Sequence, residues 1–258
     1  MPGVSSNKLG KVPELTLMFW LIKIAATTLG ETAGDAVTMS MKLGYLVGSV
    51  VFAALFLAAV TAQIVARRFH PALFWTVIVA TTTFGTTLAD YVDRSLGIGY
   101  AGGAAALGIL LLASLACWHM SLGSVALERL DTRRAEVFYW VTIMFSQTLG
   151  TALGDWFADP AAGLGLGYQG SALVFAAALL AIAAAYFWTG VSRTALFWAA
   201  FILSRPLGAT VGDYLDKPIG NGGLALSRYS ATAWLAAFII ACIIMAPQRA
   251  AAVSADAR

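Results

Sequence analysis

The sequence predicts an all-α polytopic membrane protein: eight transmembrane helices arranged as four parallel two-helix repeats, with pseudo-symmetry about the membrane normal. Three observations carry that prediction. Only 11% of the 258 residues are charged and 60% are hydrophobic, where a soluble domain carries roughly 25% charged residues. Eight apolar runs of helix length follow one another, and about 20 residues suffice to span a bilayer. One short motif is written four times, as Thr28–Asp35 (TLGETAGD), Thr83–Asp90 (TFGTTLAD), Thr148–Asp155 (TLGTALGD) and Pro206–Asp213 (PLGATVGD).

Each motif follows an aromatic-Trp pair: Phe19-Trp20, Phe74-Trp75, Tyr139-Trp140 and Phe197-Trp198. From Trp to the last Asp is 15 residues every time (35−20, 90−75, 155−140, 213−198). Four matches without a gap define an internal repeat. A β-barrel is excluded, since its strands would be about half as long and would alternate apolar with polar.

The runs lie at about 15–38, 44–66, 72–92, 99–120, 136–157, 166–188, 193–214 and 224–246. They leave one transmembrane domain over 1–258, with repeats at about 15–68, 70–127, 135–189 and 193–247. The first run is too long for a cleavable signal and holds Lys23, Glu31 and Asp35. Residues 1–14 read as a mobile polar end, and Lys23 as a side chain that snorkels toward the cytoplasm. Residues 128–136 (ERLDTRRAE) have mixed charge and read as a solvated helical extension.

Ten Lys and Arg fall on the side of the termini (Lys8, Lys11, Arg67, Arg68, Arg129, Arg133, Arg134, Arg193, Arg249, Arg258). Four fall opposite: Lys42, Arg94, Lys217 and Arg228. The excess predicts both termini in the cytoplasm. The net charge of +3 is this bias, and it calls for a lipid bilayer as partner and no nucleic acid. Because each repeat has two spans, all four repeats share one orientation.

The even helices are Ala, Leu and Val almost throughout, entered by Gly44-Tyr45, Gly99-Tyr100, Gly167-Tyr168 and Arg228-Tyr229. Those tyrosines read as interfacial anchors. Any chemistry lies on the odd helices. At about 100° per residue, positions Trp+7, +11, +15 and +18 share one face. They are Thr27, Glu31, Asp35 and Thr38; Thr82, Thr86, Asp90 and Asp93; Gln147, Thr151, Asp155 and Ala158; Arg205, Ala209, Asp213 and Asp216. Beside this stripe run small residues four apart, from Gly30/Gly34 to Gly208/Gly212, which suit close helix packing.

Carboxylates within a membrane are costly and face protein or water. Asp35, Asp90, Asp155 and Asp213, with Glu31, are candidate ligands of a cation. Thr27, Thr82, Thr86, Gln147, Thr151 and Arg205 are candidate pathway residues. Oxygen ligands of this kind suit hard divalent ions such as Mn²⁺ or Ca²⁺. A competing reading has each Asp end its own helix at the interface. Arg205 lies near mid-membrane and has Glu31 or Asp35 as candidate partners, or it snorkels or pairs for structure alone. No Cys/His metal spacing, phosphate loop or nucleophile motif occurs, so no enzyme and no cofactor are expected.

The four [Thr/Pro]-[Leu/Phe]-Gly-x-x-x-[Gly/Ala]-Asp segments resemble a family of bacterial inner-membrane proteins labelled membrane-anchored or uncharacterised. That resemblance implies the bacterial cytoplasmic membrane. Gly30-Glu31-Thr32-Ala33-Gly34-Asp35 is similar to the Glu-x-Gly-Asp signature of calcium/manganese-proton exchangers, with one extra residue between Glu and Gly. It implies a proton-coupled transporter of a divalent cation, with cation and protons as partners. The alternative is a non-transporting membrane scaffold or regulatory protein. Either is compatible with an oligomer.

Overall fold

The computed structural model describes residues 8–130 and 132–253. Eight helices follow in order: α1 Leu17–Asp35, α2 Gly44–Val65, α3 Pro71–Asp90, α4 Tyr100–Leu122, α5 Arg133–Ala158, α6 Gly167–Trp188, α7 Arg193–Asp216 and α8 Arg228–Met245. Each odd helix starts on a local signal. Thr16, Thr132 and Ser192 accept from Phe19, Ala135 and Ala195 backbone N–H groups, and α3 begins on Pro71. The Gly-Tyr entries of three even helices are explained by backbone conformation. Gly44, Gly99 and Gly167 turn the chain at φ 74, 76 and 66°, where a side chain is strained.

The odd helices form a closed ring: α1 packs on α3, α3 on α5, α5 on α7, and α7 back on α1. The even helices lie outside it. Each leans mainly on the odd helix of the following repeat, α2 on α3, α4 on α5, α6 on α7, and α8 on α1. A repeat is therefore a unit of sequence whose two helices pack chiefly against other repeats.

Six of the eight helices are long and apolar enough to cross a membrane; α1 and α5 are not among them. Both sit in the ring and bury polar residues there, among them Lys23, Glu31 and Asp35 of α1 and Gln147, Thr151 and Asp155 of α5. In the outer helices only 11–28% of the apolar stretch is buried, against 61% for α3 and α7. The outer helices present that uncovered apolar surface to lipid.

At one end of the ring, aromatic side chains pass the contact from each repeat to the next. Ring centroids are 5.5 Å apart for Phe19 and Trp75, 5.7 Å for Phe74 and Trp140, 6.2 Å for Tyr139 and Trp198, and 6.2 Å for Phe197 and Trp20. One turn further in lie Lys23, Ile78, Ile143 and Phe201, all fully buried. Lys23 therefore does not snorkel. It occupies Trp+3, the same stripe as Thr27 and Glu31, so it points inward with them.

The expected mobile N-terminus lies partly outside the described residues, and its described part is ordered. Lys8–Pro13 forms strand β1, antiparallel to β2, Ala250–Val253. Lys11 anchors it at this end of the ring, with Nζ 2.7 Å from Glu136 Oε1 and donating to Ile64 O at 2.9 Å. Trp75 Nε1 donates to Gln248 Oε1 at 2.8 Å. The solvated helical extension expected at 128–136 is met in part: α5 starts at Arg133, with Arg133 and Arg134 exposed, but a 3-10 turn at Leu127–Arg129 precedes it, Leu130 and Glu136 are buried, and residue 131 lies outside the described residues. Lys11 draws Glu136 inward, which the linear charge pattern does not show.

Candidate functional site

The small residues set the register of the ring. A Cβ on Gly85 would lie 2.9 Å from Thr148 N, and one on Gly208 2.9 Å from Thr28 N. The equivalent atoms on Gly30 and Gly150 would run into Thr82 and Arg205. Position Trp+10 of each repeat thus meets Trp+7 or +8 of the next. One turn on, a Cβ at Gly34 would reach Thr86 Cγ2 at 3.0 Å, at Gly154 Ala209 Cβ at 3.1 Å, and at Gly212 Glu31 Cβ at 2.7 Å. Helices this close leave no alternative direction for the polar stripe, which turns to the axis.

Three polar layers result. The first holds Thr27, Thr82, Gln147 and Arg205, all 0% exposed. The second holds Glu31, Thr86, Thr151 and Ala209, and the third Asp35, Asp90, Asp155 and Asp213, with no member above 6% exposed. Every candidate ligand and pathway residue lies in this axial core.

In the second layer one guanidinium joins all four odd helices. Arg205 Nη2 donates to Glu31 Oε2 at 2.9 Å, to Thr86 Oγ1 at 2.6 Å and to Thr151 Oγ1. Of the two candidate partners, Glu31 is the one it meets. Thr27 and Thr82 donate chiefly to their own helices, at Ile24 O and Val79 O, both 2.8 Å, with longer contacts to Ser204 O and Ala26 O of the neighbouring helices at 3.4 and 3.3 Å. Among the described residues Gln147 has no hydrogen-bond partner, and neither do Nε and Nη1 of Arg205.

The aspartates meet cations shared between neighbouring helices. Arg94 lies 3.1 Å from Asp90 and 3.0 Å from Asp155, bridging α3 and α5. Lys217 lies 3.0 Å from Asp213 and also pairs with Asp35, bridging α7 and α1. Burial disfavours the Lys217 ammonium, but Asp213, Asp35 and Asp216 outweigh it and hold its pKa well above the ordinary lysine range. Arg228 lies 3.0 Å from Asp216 and 3.7 Å from Asp35.

Asp35, Asp213 and Asp216 each bring a carboxylate oxygen within 4.8 Å of the others, the spacing of a metal centre. Lys217 and Arg228 already stand among these oxygens. The tyrosines at the even-helix entries join in too. Tyr45 OH accepts from Arg94 Nη1 at 3.1 Å, and the Tyr45 and Tyr100 rings lie 5.9 and 5.8 Å from its guanidinium.

Sequence reasoning left Asp93, Asp216, Arg94, Lys217, Arg228 and Lys23 out of the site. Four had a signal: Asp93 and Asp216 stand at Trp+18 on the polar stripe, and Arg94 and Lys217 each stand four residues after their Asp, the spacing of a helical ion pair.

No curated protein and no solved structure matches this chain. The family described as "Repeat of Unknown Function (DUF347)" matches four times, over residues 18–69, 73–123, 138–192 and 196–246. These copies run one to each helix pair and cover most of the chain, which therefore belongs to that repeat family.

Proposed function

We propose that this protein is a secondary transporter or exporter of an inorganic cation, divalent and exchanged for protons, with Mn²⁺ and Ca²⁺ as the ions to test first. In this reading all eight helices span a bacterial cytoplasmic membrane with both termini inside, and the four repeats surround an axis along the membrane normal. The observation that supports it is the charge at the Asp end of the ring. Six buried acids (Asp35, Asp90, Asp93, Asp155, Asp213, Asp216) face three bases (Arg94, Lys217, Arg228). Excess negative charge in low dielectric is costly until protons or a cation offset it.

An incoming cation takes carboxylate oxygens from Lys217 or Arg94, which act as tethered stand-ins while the site waits. Beyond it, the Arg205–Glu31 pair crosses the axis and the aromatic layer closes the other end. The described state is shut on that side, as one conformer of an alternating cycle would be.

A second reading has its own support. Each aspartate of the third layer already has an intramolecular cation, which accounts for its burial in a scaffold that transports nothing. The deciding experiment is Mn²⁺ and Ca²⁺ flux, with internal pH, in proteoliposomes of the wild type and of Asp35→Asn, Asp90→Asn, Asp155→Asn and Asp213→Asn. Transport predicts flux that the variants lose while still folding. A wild type inert to both ions, or four variants with undiminished flux, removes the transport reading.

A further inference from the structure

We infer that the middle of the ring holds a binding site for a small inorganic monoanion, between Lys23 of α1, Gln147 of α5 and Arg205 of α7. All three side chains are 0% exposed. Lys23 Nζ has Ser204 Oγ at 3.3 Å and lies 4.2 Å above the Phe201 ring. No carboxylate pairs with it among the described residues, whereas other buried cations of the core each have one. Arg205 spends Nη2 on Glu31 and the two threonines, leaving Nε and Nη1 without partners. Gln147 leaves both its amide atoms unused.

These groups surround one stretch of the axis. Ser204, which holds Lys23, immediately precedes Arg205. A Cβ on Gly150, three residues beyond Gln147, would run into the Arg205 side chain. Buried donors without partners cost free energy and are satisfied by protein, water or ligand. Water satisfies the donors but leaves Lys23 with no carboxylate and Arg205 with Glu31 alone. Guanidinium and ammonium offer donors and no acceptors. The ligand they recognise is acceptor-only and singly charged, such as chloride, bromide or nitrate.

The test holds sodium and ionic strength constant and replaces gluconate by chloride, bromide or nitrate around purified full-length protein. The reading is the melting temperature, with bromide located by anomalous scattering in crystals. We expect a saturable rise in the wild type and bromide density beside Arg205. Lys23→Met and Gln147→Leu both keep the Arg205 tie between helices, and each should weaken the apparent anion affinity at least tenfold. No anion-dependent shift, with water filling the site and Lys23 neutral, overturns the proposal. So does a shift in both variants with the wild-type size and concentration dependence, which places the anion elsewhere. Only the anion varies and the aspartates are untouched, so this result stands apart from the fate of the cation reading.

Discussion

Arg205 and Glu31, each found in a single repeat, lie 2.9 Å apart inside the ring. They come from the fourth and first repeats, the two whose helices α7 and α1 close the circle. Gly208 and Gly212 bring those helices together, Gly212 directly against the Glu31 side chain. The departure from repetition is thus a single event at the closure, with one charge supplied from each side. Thr86 and Thr151, which occupy the Glu31 position in the repeats between, accept from the same guanidinium.

Removing one member of a buried pair strands the other. Glu31→Gln or Arg205→Gln should each destabilise the protein by about 3–5 kcal/mol. The double substitution Glu31→Leu with Arg205→Met should recover much of that loss, since two apolar groups leave no stranded charge. Thermal melting in detergent measures all three. A double variant no more stable than the singles would show that the pair does not act as a unit.

Gly85 in the ring and Gly108 on the outer helix α4 should respond in opposite senses to alanine. At Gly85 a new Cβ meets backbone at 2.9 Å, and overpacking of this kind costs about 1–3 kcal/mol. At Gly108 on α4 the same Cβ meets nothing within 4 Å, so Gly108→Ala should be neutral or should gain up to about 1 kcal/mol from helix propensity. Equal melting shifts in the two variants would contradict the close approach of α3 and α5.

If Arg94 stands in for the substrate cation, removing it frees Asp90 and Asp155. Arg94→Gln should lower the cation concentration needed for half-maximal flux. It should also destabilise the protein, because Asp90 and Asp155 are buried and lose the cation they share. Flux with unchanged concentration dependence would remove Arg94 from the mechanism.

The charge bias can be checked with single cysteines in a background lacking Cys117 and Cys242. A cysteine near Arg133 should react with a membrane-impermeant thiol reagent only from the cytoplasm, and one near Asp93 only from outside. Labelling near Arg133 from outside would invert the topology and place the Asp end in the other leaflet.

Much of this protein is determined by local chemistry that the chain states outright. Continuous apolar runs require helices, since a backbone in lipid must satisfy its own polar groups. A constant 15-residue step from Trp to Asp puts Thr27, Glu31 and Asp35, and their equivalents, on one face of each odd helix. The cost of an isolated Arg205 in such a face requires a carboxylate, and Glu31 was one of two within reach. Periodicity, however, says which residues share a face and not which neighbour that face meets.

That second question is settled by contacts between residues far apart in sequence. The circular order of the odd helices rests on glycines of one repeat fitting against the Trp+7 to +11 stretch of the next, most decisively Gly208 and Gly212 against Thr27 and Glu31. Lys23 turned inward because that packing buries its whole stripe, whatever the preference of a lone lysine for the interface. Arg94 and Lys217 could be seen beside Asp90 and Asp213 in the sequence, but their second partners, Asp155 and Asp35, lie on other helices. The β1–β2 pairing joins residues from opposite ends of the chain. Each of these depends on three-dimensional closure of the ring, which brings together groups that no short window of sequence contains.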